Sequence, residues 1–269
     1  MLKGNKRLIV VGLVLLMAMS VLVTGCQGSK NKADLSTWER VQQDKKIVFG
    51  LDDAFRPMGF RDEKNNLVGF DIDMANEISQ RLGVKLVPQP TPWDGVTAAL
   101  NAKKFDLIIS GMTITDERKK QVAFTNPYIK TGQVILVLAG NDTIKGGSDL
   151  KAKIVGTQKG SSAQPLVEQL QEVKERKFYN QFPEAVMDLK NKRVDCLIID
   201  APLVADLEKQ MPGAFKPAGI LAEEYYGIGV RQADTELIAE INRVIKDMQQ
   251  DGTLKALSQK WFGMDVTTF

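Results

Sequence analysis

Histidine is absent from all 269 residues, and cysteine occurs twice. Without imidazole there is no His-dependent triad, no His metal ligand and no imidazole acid–base catalysis, and two cysteines cannot furnish a four-Cys zinc site. Net charge is small too: 36 Lys and Arg face 33 Asp and Glu, and +3 is too weak to argue for nucleic acid. Gly-rich phosphate loops and catalytic carboxylate pairs at a telling spacing are also missing. No catalytic residue, cofactor or metal is therefore expected. What is present is 43% apolar and 26% charged residues, enough for two modest domains with a sizeable core.

Residues 1–25 carry Lys3, Lys6 and Arg7 and no acid, then a 16-residue apolar run from Leu8 to Val23. At about 1.5 Å per residue such a run reaches ~24 Å, short of a hydrocarbon core of roughly 30 Å. It reads as the n- and h-regions of a signal peptide. The segment ends Val23-Thr24-Gly25-Cys26, which resembles the lipobox of bacterial lipoproteins, where cleavage precedes a cysteine that receives a diacylglycerol. Removing those three basic residues from 36 leaves 33, equal to the 33 acids, so the mature chain is formally neutral. The stretch Gln27 to Ala33 is a polar tether. Ser36 and Glu39 form a capping box ahead of a short helix reaching about Gln43. With Cys26 acylated, Cys196 stands alone in the apolar run Val194 to Ile199, an inert core thiol rather than half of a disulfide.

Strand-like and helix-like runs then alternate, which predicts an α/β fold with largely parallel sheet. Lys46 to Leu51 is a short strand, and Asp71 is placed to cap a helix whose apolar positions Ile72, Ala75, Ile78 and Leu82 end at Gly83. A weak repeat appears at an offset of 89 residues: Leu100 to Ile109 matches Leu189 to Ile198 in its order of leucine, basic pair, apolar, aspartate and apolar run, and Trp93 falls opposite Phe182. Lys46-Ile47-Val48 with Gly50 precedes one copy, Lys153-Ile154-Val155 with Gly156 the other. Two α/β lobes of related design follow, and because ligands sit beyond the carboxyl ends of strands in open α/β sheets, the site is expected between them.

Four polar positions fall near such strand ends: Asp52; Ser110, Gly111 and Thr113 with Arg118; Gly160-Ser161-Ser162; and Asp200. One guanidinium, backbone and hydroxyl donors and two carboxylates suit a zwitterion, its carboxylate on the planar fork of Arg118 and its ammonium on a carboxylate such as Asp200. Thr115 reads as an N-cap with acids in the first turn, where a cation is disfavoured, so Arg118 either serves an external partner or pairs with Asp116 or Glu117. Gly160 to Ser162, ahead of a helix over Gln164 to Val173, is an anion site or a plain cap. Phe55 and Trp93 are core aromatics or a clamp on the ligand side chain.

Four segments in order, Gly50 to Met58, Leu67 to Asp73, Ser110 to Arg118 and Gly156 to Ser162, resemble the polar amino-acid-binding proteins of ABC importers, the binders of glutamine, histidine and lysine/arginine/ornithine. The resemblance runs from about Lys45 to Phe262. It implies a two-lobed periplasmic-binding-protein fold of type II, with two crossover strands placed near Val134 to Ala139 and Tyr225 to Val230. Lobe 1 then spans 45–136 plus 230–269 and lobe 2 spans 137–229, after the signal peptide 1–25 and the tether and short helix 26–44. Carried over by position, Arg118 grips the ligand α-carboxylate with the N–H groups of Thr113 and of Ser161 or Ser162. Asp200 and the carbonyl of Ser110 or Gly111 take the α-ammonium, and Asp52 meets a side-chain nitrogen between Phe55 and Trp93. Gln158 also belongs to the expected site, although it and Ala163 depart from some basic-amino-acid binders. Asp52 with Trp93 favours a basic ligand, while Gly111 and Thr113 resemble the glutamine binders. The implied protein is a monomeric lipoprotein on the outer face of the cell membrane that hands an L-amino acid to a permease. The rivals are a cleft enzyme of the same fold, such as a cyclohexadienyl dehydratase, and a ligand sensor signalling through a separate subunit.

Overall fold

The computed structural model describes residues 35–269, and Ser36–Phe269 forms one compact unit. The leader, the tether and Cys26 lie outside the described residues. The first element is α1 (Thr37–Asp44), which starts with the expected capping box: Ser36 Oγ accepts from Glu39 N at 3.2 Å, and Ser36 N donates to Glu39 Oε2 at 2.8 Å.

One sheet is ordered β5-β1-β6-β13-β7 from Lys85–Pro90, Lys46–Leu51, Leu107–Ile108, Gly229–Val230 and Ala123–Phe124. The other is ordered β10-β9-β11-β8-β12 from Glu175–Tyr179, Ile154–Gln158, Cys196–Asp200, Ile129–Leu138 and Phe215–Tyr226. A small antiparallel sheet, β2 (Ala54–Phe55), β3 (Gly59–Arg61) and β4 (Leu67–Val68), lies beside the first. In each large sheet three strands run parallel, as β1 does with β5 and β6 and β9 with β10 and β11. β8 and β13 each pair antiparallel with both of their neighbours, so the sheets are mixed rather than largely parallel. They are the strands that arrive from the other sheet, and such a strand enters from the opposite end.

The chain passes from the first sheet to the second over 125–128 and returns over 227–228. The expected first crossing at Val134 to Ala139 falls within and just after β8, already paired with β11 and β12. The polar residues Lys130, Thr131 and Gln133 hide the first half of that strand from a hydropathy reading, and only the apolar run beginning at Val134 announces it.

The repeat extends to the backbone. In the first copy α3 (Val96–Asn101) leads to β6, in the second α6 (Phe182–Lys190) leads to β11. Lys103 and Lys192, 89 residues apart, both adopt φ 58°. Asp106 receives Val48 N at 3.0 Å and Asp195 receives Ile154 N at 2.7 Å, so each aspartate ties its copy to the neighbouring parallel strand. Cys196 is buried, and burial pushes its thiol up to about 12.

Helix α2 (Phe70–Leu82) ends at the expected Gly83, in a left-handed C-cap. Its cap is Gly69, however, not Asp71, whose side chain turns inward. After β13, α8 (Thr235–Gln250) and α9 (Thr253–Phe262) pack back onto α2. The face they share is supplied by Leu237, Ile241, Val244, Ile245 and Met248 of α8, all at most 1% exposed. At about 1.5–3 kcal/mol per buried aliphatic side chain, this stripe is a principal anchor of the C-terminal segment.

Candidate functional site

The strand ends of the two sheets face one another, and between them lies a small cavity. Its wall contains Asp52, Phe55, Trp93, Gly111, Thr113 and Arg118 from the first lobe and Gln158, Ser161, Ser162, Phe182 and Asp200 from the second. Ser110 stands behind this wall, where its Oγ accepts from Asp52 N at 3.0 Å.

Asp52 directly follows β1 and is buried; its Oδ1 accepts from Ala54 N at 2.9 Å and its Oδ2 from Gln158 Nε2 at 2.6 Å. Burial raises its pKa, against the lowering effect of those two donors. Because Gln158 ends β9, that contact joins the two lobes.

Arg118 sits in α4 (Asp116–Lys119), capped by Thr115, whose Oγ1 accepts from Arg118 N at 3.1 Å. The two neighbouring acids are taken locally, Asp116 by Lys119 at 3.1 Å and Glu117 by Lys120 at 3.5 Å. The guanidinium turns into the cleft instead, donating to Thr113 O at 2.9 Å and to Gly160 O of the facing lobe at 3.0 Å, with Cζ 5.3 Å from the centroid of Trp93. Burial lowers its pKa, opposed by the nearby Asp200 and Glu224.

Asp200 ends β11 and immediately precedes α7 (Ala201–Gln210), yet its side chain makes no capping bond. Its Oδ1 accepts from Tyr226 Oη at 2.7 Å and from Gln133 Nε2 at 3.0 Å, and burial pushes the carboxyl up to about 7. The turn after β9 leads into α5 (Ala163–Gln169), which stops before the expected Val173. Ser161 Oγ donates to Gln158 O at 2.7 Å, while Ser162 Oγ lies 3.2 Å from Thr113 Oγ1, again across the lobes.

Gly111 adopts φ +52°, and a Cβ there would lie 2.6 Å from Phe55 Cε1, so only glycine lets this loop lie against the aromatic ring. Its N–H donates to Asp71 Oδ2 at 2.6 Å, and Tyr128 Oη donates to Asp71 Oδ1 at 2.9 Å. Asp71 thus braces the Gly111 loop from inside the first lobe; its carboxyl, fully buried, is pushed up to about 7.

Phe182, Gln133, Tyr226 and Glu224 were not expected at the site. Phe182 had a signal, its place opposite Trp93 in the repeat, and its ring lies 5.6 Å from that of Phe55. The other three sit on the crossing strands, which no local motif marks. A second, larger cavity adjoins the first through Asp52 and Trp93 and is rimmed by Asp53, Asp94, Lys159, Asn180 and Glu184. Among the described residues no group of three or more His, Cys, Asp or Glu side chains could hold a metal ion, and no helix is long and apolar enough to cross a membrane.

Two α/β lobes, two crossings and a polar cavity between strand ends define a periplasmic-binding-protein fold. Residues 47–264 match the bacterial extracellular solute-binding proteins, family 3, and the chain belongs to that family. It is 34% identical over 251 residues to the L-cystine-binding protein of Escherichia coli strain K12, covering 93% of this chain and 94% of that one. An ancestral arginine-binding protein solved with arginine superposes with a TM-score of 0.78 at 42% identity, covering 81% of this chain and 99% of its own. An ancestral amino-acid-binding protein, described as a precursor of cyclohexadienyl dehydratase, gives 0.80 at 35% identity over 84% of this chain and 100% of its own. The homologues are amino-acid-binding proteins of ABC importers, and family members are extracellular or periplasmic.

Proposed function

We propose that this chain is the capture component of an ABC importer for an L-amino acid with a polar, basic side chain, and that it delivers its ligand to a membrane permease unchanged. The observation that carries this reading is the convergence of Arg118 from one lobe and Asp200 from the other on a single cavity. The guanidinium fork suits the α-carboxylate, joined by backbone N–H groups of Thr113 and of Ser161 or Ser162. The α-ammonium goes to Asp200 and the carbonyl of Ser110 or Gly111. Asp52 takes the side-chain nitrogen, Gln158 orients that carboxylate, and Phe55 and Trp93 flank the stem. With two acids against one base at the wall, a net-cationic ligand is electrostatically favoured.

A second reading has its own support. The outer cavity continues past Asp52 and carries both signs of charge, Asp94 and Glu184 with Lys159, as the far head of cystine would need. A thermal-shift screen over the twenty amino acids, ornithine, citrulline and cystine separates the two, since a tight ligand raises the melting temperature by mass action. Arginine or lysine giving the largest shift supports the first reading and cystine the second. A flat screen overturns both.

The raised carboxyl of Asp200 is also what a dehydratase would require of a proton donor. Its place opposite Arg118 makes it a ligand partner in our reading, and incubation with prephenate or arogenate should yield no aromatic product. We further place the mature chain at the outer membrane face through a lipid on Cys26. Cys26→Ala in the full-length chain should move it from the detergent phase to the aqueous phase on Triton X-114 partitioning.

A further inference from the structure

Behind the cavity wall stands an acid that does not line it. Glu224 lies near the end of β12, the strand from which the chain returns to the first lobe. Its Oε2 accepts from Thr113 Oγ1 at 3.1 Å, Ser162 Oγ at 3.0 Å and Gln133 Nε2 at 2.9 Å. These donors belong to three separate segments: the loop after β6 in the first lobe, and in the second the turn after β9 and β8, the strand that follows the first crossing.

The backbone fastens one of them to the crossing. Thr113 forms a β-bridge with Tyr226, Ile114 N donates to Tyr225 O at 2.8 Å, and Gly227 N donates to Met112 O at 3.0 Å. Ser162 has no such tie to β12 and reaches the crossing through its hydroxyl. Rotation of the lobes about the crossings therefore moves Ser162 relative to Thr113, and the shared carboxylate of Glu224 defines one register between them.

Gln133 shows that this network is balanced. The residue is fully buried; its Nε2 has three acceptors for two hydrogens, Ser162 Oγ, Asp200 Oδ1 and Glu224 Oε2, while its Oε1 has no partner. A buried amide with one end oversubscribed and the other unpaired is held in place by its acceptors, and loss of one of them redistributes the rest. Asp200, the proposed ammonium partner, is one of those acceptors.

We propose that Glu224 is a positioning residue that couples lobe closure to ligand grip: by gathering Thr113, Ser162 and Gln133 on one carboxylate at the crossing, it sets the register in which Thr113, Ser162 and Asp200 meet the ligand. The inference rests on the amino-acid-binding reading. It predicts an effect on dissociation, because the register matters once the lobes have closed.

The test is calorimetry with stopped-flow kinetics on wild type, Glu224→Gln and Glu224→Asp, with L-arginine and L-cystine as probes. Glutamine has the size of glutamate but replaces a charged acceptor with a neutral amide oxygen, and bonds to a charged acceptor are roughly twice as strong as neutral ones. Glu224→Gln should lose at least tenfold in affinity, carried by faster dissociation, with association within threefold and the ligand-free melting temperature within about 3 °C of wild type. Glu224→Asp, which keeps the charge, should recover part of the loss. Affinity within twofold of wild type in Glu224→Gln overturns the proposal, as does a loss that falls on association or that follows a matching collapse of ligand-free stability. A wild type that binds neither probe and gives a flat screen sinks the amino-acid reading itself, which is a different failure.

Discussion

At the scale of single residues, the site is a set of charges held out of water, and its energetics follow from that. Truncating one partner of a buried, hydrogen-bonded charge pair costs about 2–5 kcal/mol. Arg118→Ala is therefore expected to weaken amino-acid binding by at least about 30-fold, the low end of that range, and calorimetry giving an unchanged affinity would refute the role. The acids make a second prediction. An aspartyl group titrates near 3.9 in an unfolded chain, whereas burial holds Asp71 and Asp200 protonated up to about 7. Between about pH 4 and 7 the folded protein thus binds more protons than the unfolded one, and these two groups make ligand-free stability rise as pH falls from 7 toward 5. The proposed capture of an ammonium by Asp200 needs its carboxylate ionised, so affinity should fall over the same range. Melting curves and calorimetry at pH 8, 7, 6 and 5 should slope in opposite senses, and Asp200→Asn should flatten the affinity profile. Parallel slopes would contradict the assignment.

At the scale of elements, the repeat supplies a controlled comparison. Asp106 and Asp195 hold equivalent strand N–H groups, but Asp106 also receives Arg40 Nη2 at 2.5 Å and Arg231 Nη2 at 3.5 Å, and Arg231 is only 9% exposed. Asp195→Ala forfeits a hydrogen bond to a backbone N–H at about 1–3 kcal/mol, while Asp106→Ala forfeits the same kind of bond and the charge-assisted contacts of the two arginines, about 1.5–3 kcal/mol more, Arg231 keeping Asp234 at 2.7 Å. Urea midpoints should order wild type, Asp195→Ala, Asp106→Ala, and equal midpoints would show that the arginines find other partners. Much of this level was legible from sequence. Capping chemistry located α1 and α4, the left-handed Gly83 closed α2, and the aspartate-then-apolar pattern located β6 and β11, because each signal is local and has one dominant cause. Legibility failed where the cause is tertiary. Asp71 looks like a helix cap because its polarity is visible and its partners Gly111 and Tyr128 are not. The beginning of β8 was hidden by polar residues that face the crossings, and Gln133, Glu224 and Tyr226 enter the site from strands whose own sequences carry no binding motif.

For the whole molecule, the two lobes make contact over a broad rim, and that contact tests whether closure drives binding. Arg56 Nε meets Asp206 Oδ2 at 3.0 Å on one side of the cleft, and Lys159 Nζ meets Asp94 Oδ2 at 3.0 Å on another. Such half-exposed pairs contribute little each, about 0–1 kcal/mol. The tighter constraint is steric. Gly160 adopts φ +73°, and a Cβ there would lie 2.7 Å from Asp94 Cα, backbone of the opposite lobe that no rotamer change can clear. Gly160→Ala should therefore prop the cleft open. It also incurs the left-handed strain of any L-residue, about 1–2 kcal/mol, which by itself would lower stability without touching the ligand. Gly83 separates the two effects: its φ is +62°, and a Cβ there meets nothing within 4 Å. Gly83→Ala and Gly160→Ala should lose similar stability in denaturant, yet only Gly160→Ala should lose at least tenfold in amino-acid affinity and fail to contract in small-angle scattering when ligand is added. Compaction of both variants as in wild type would show that capture does not need this approach of Gly160 to Asp94, and the hinge-closure account, in which the closed form is the one presented to a permease, would lose its mechanical basis.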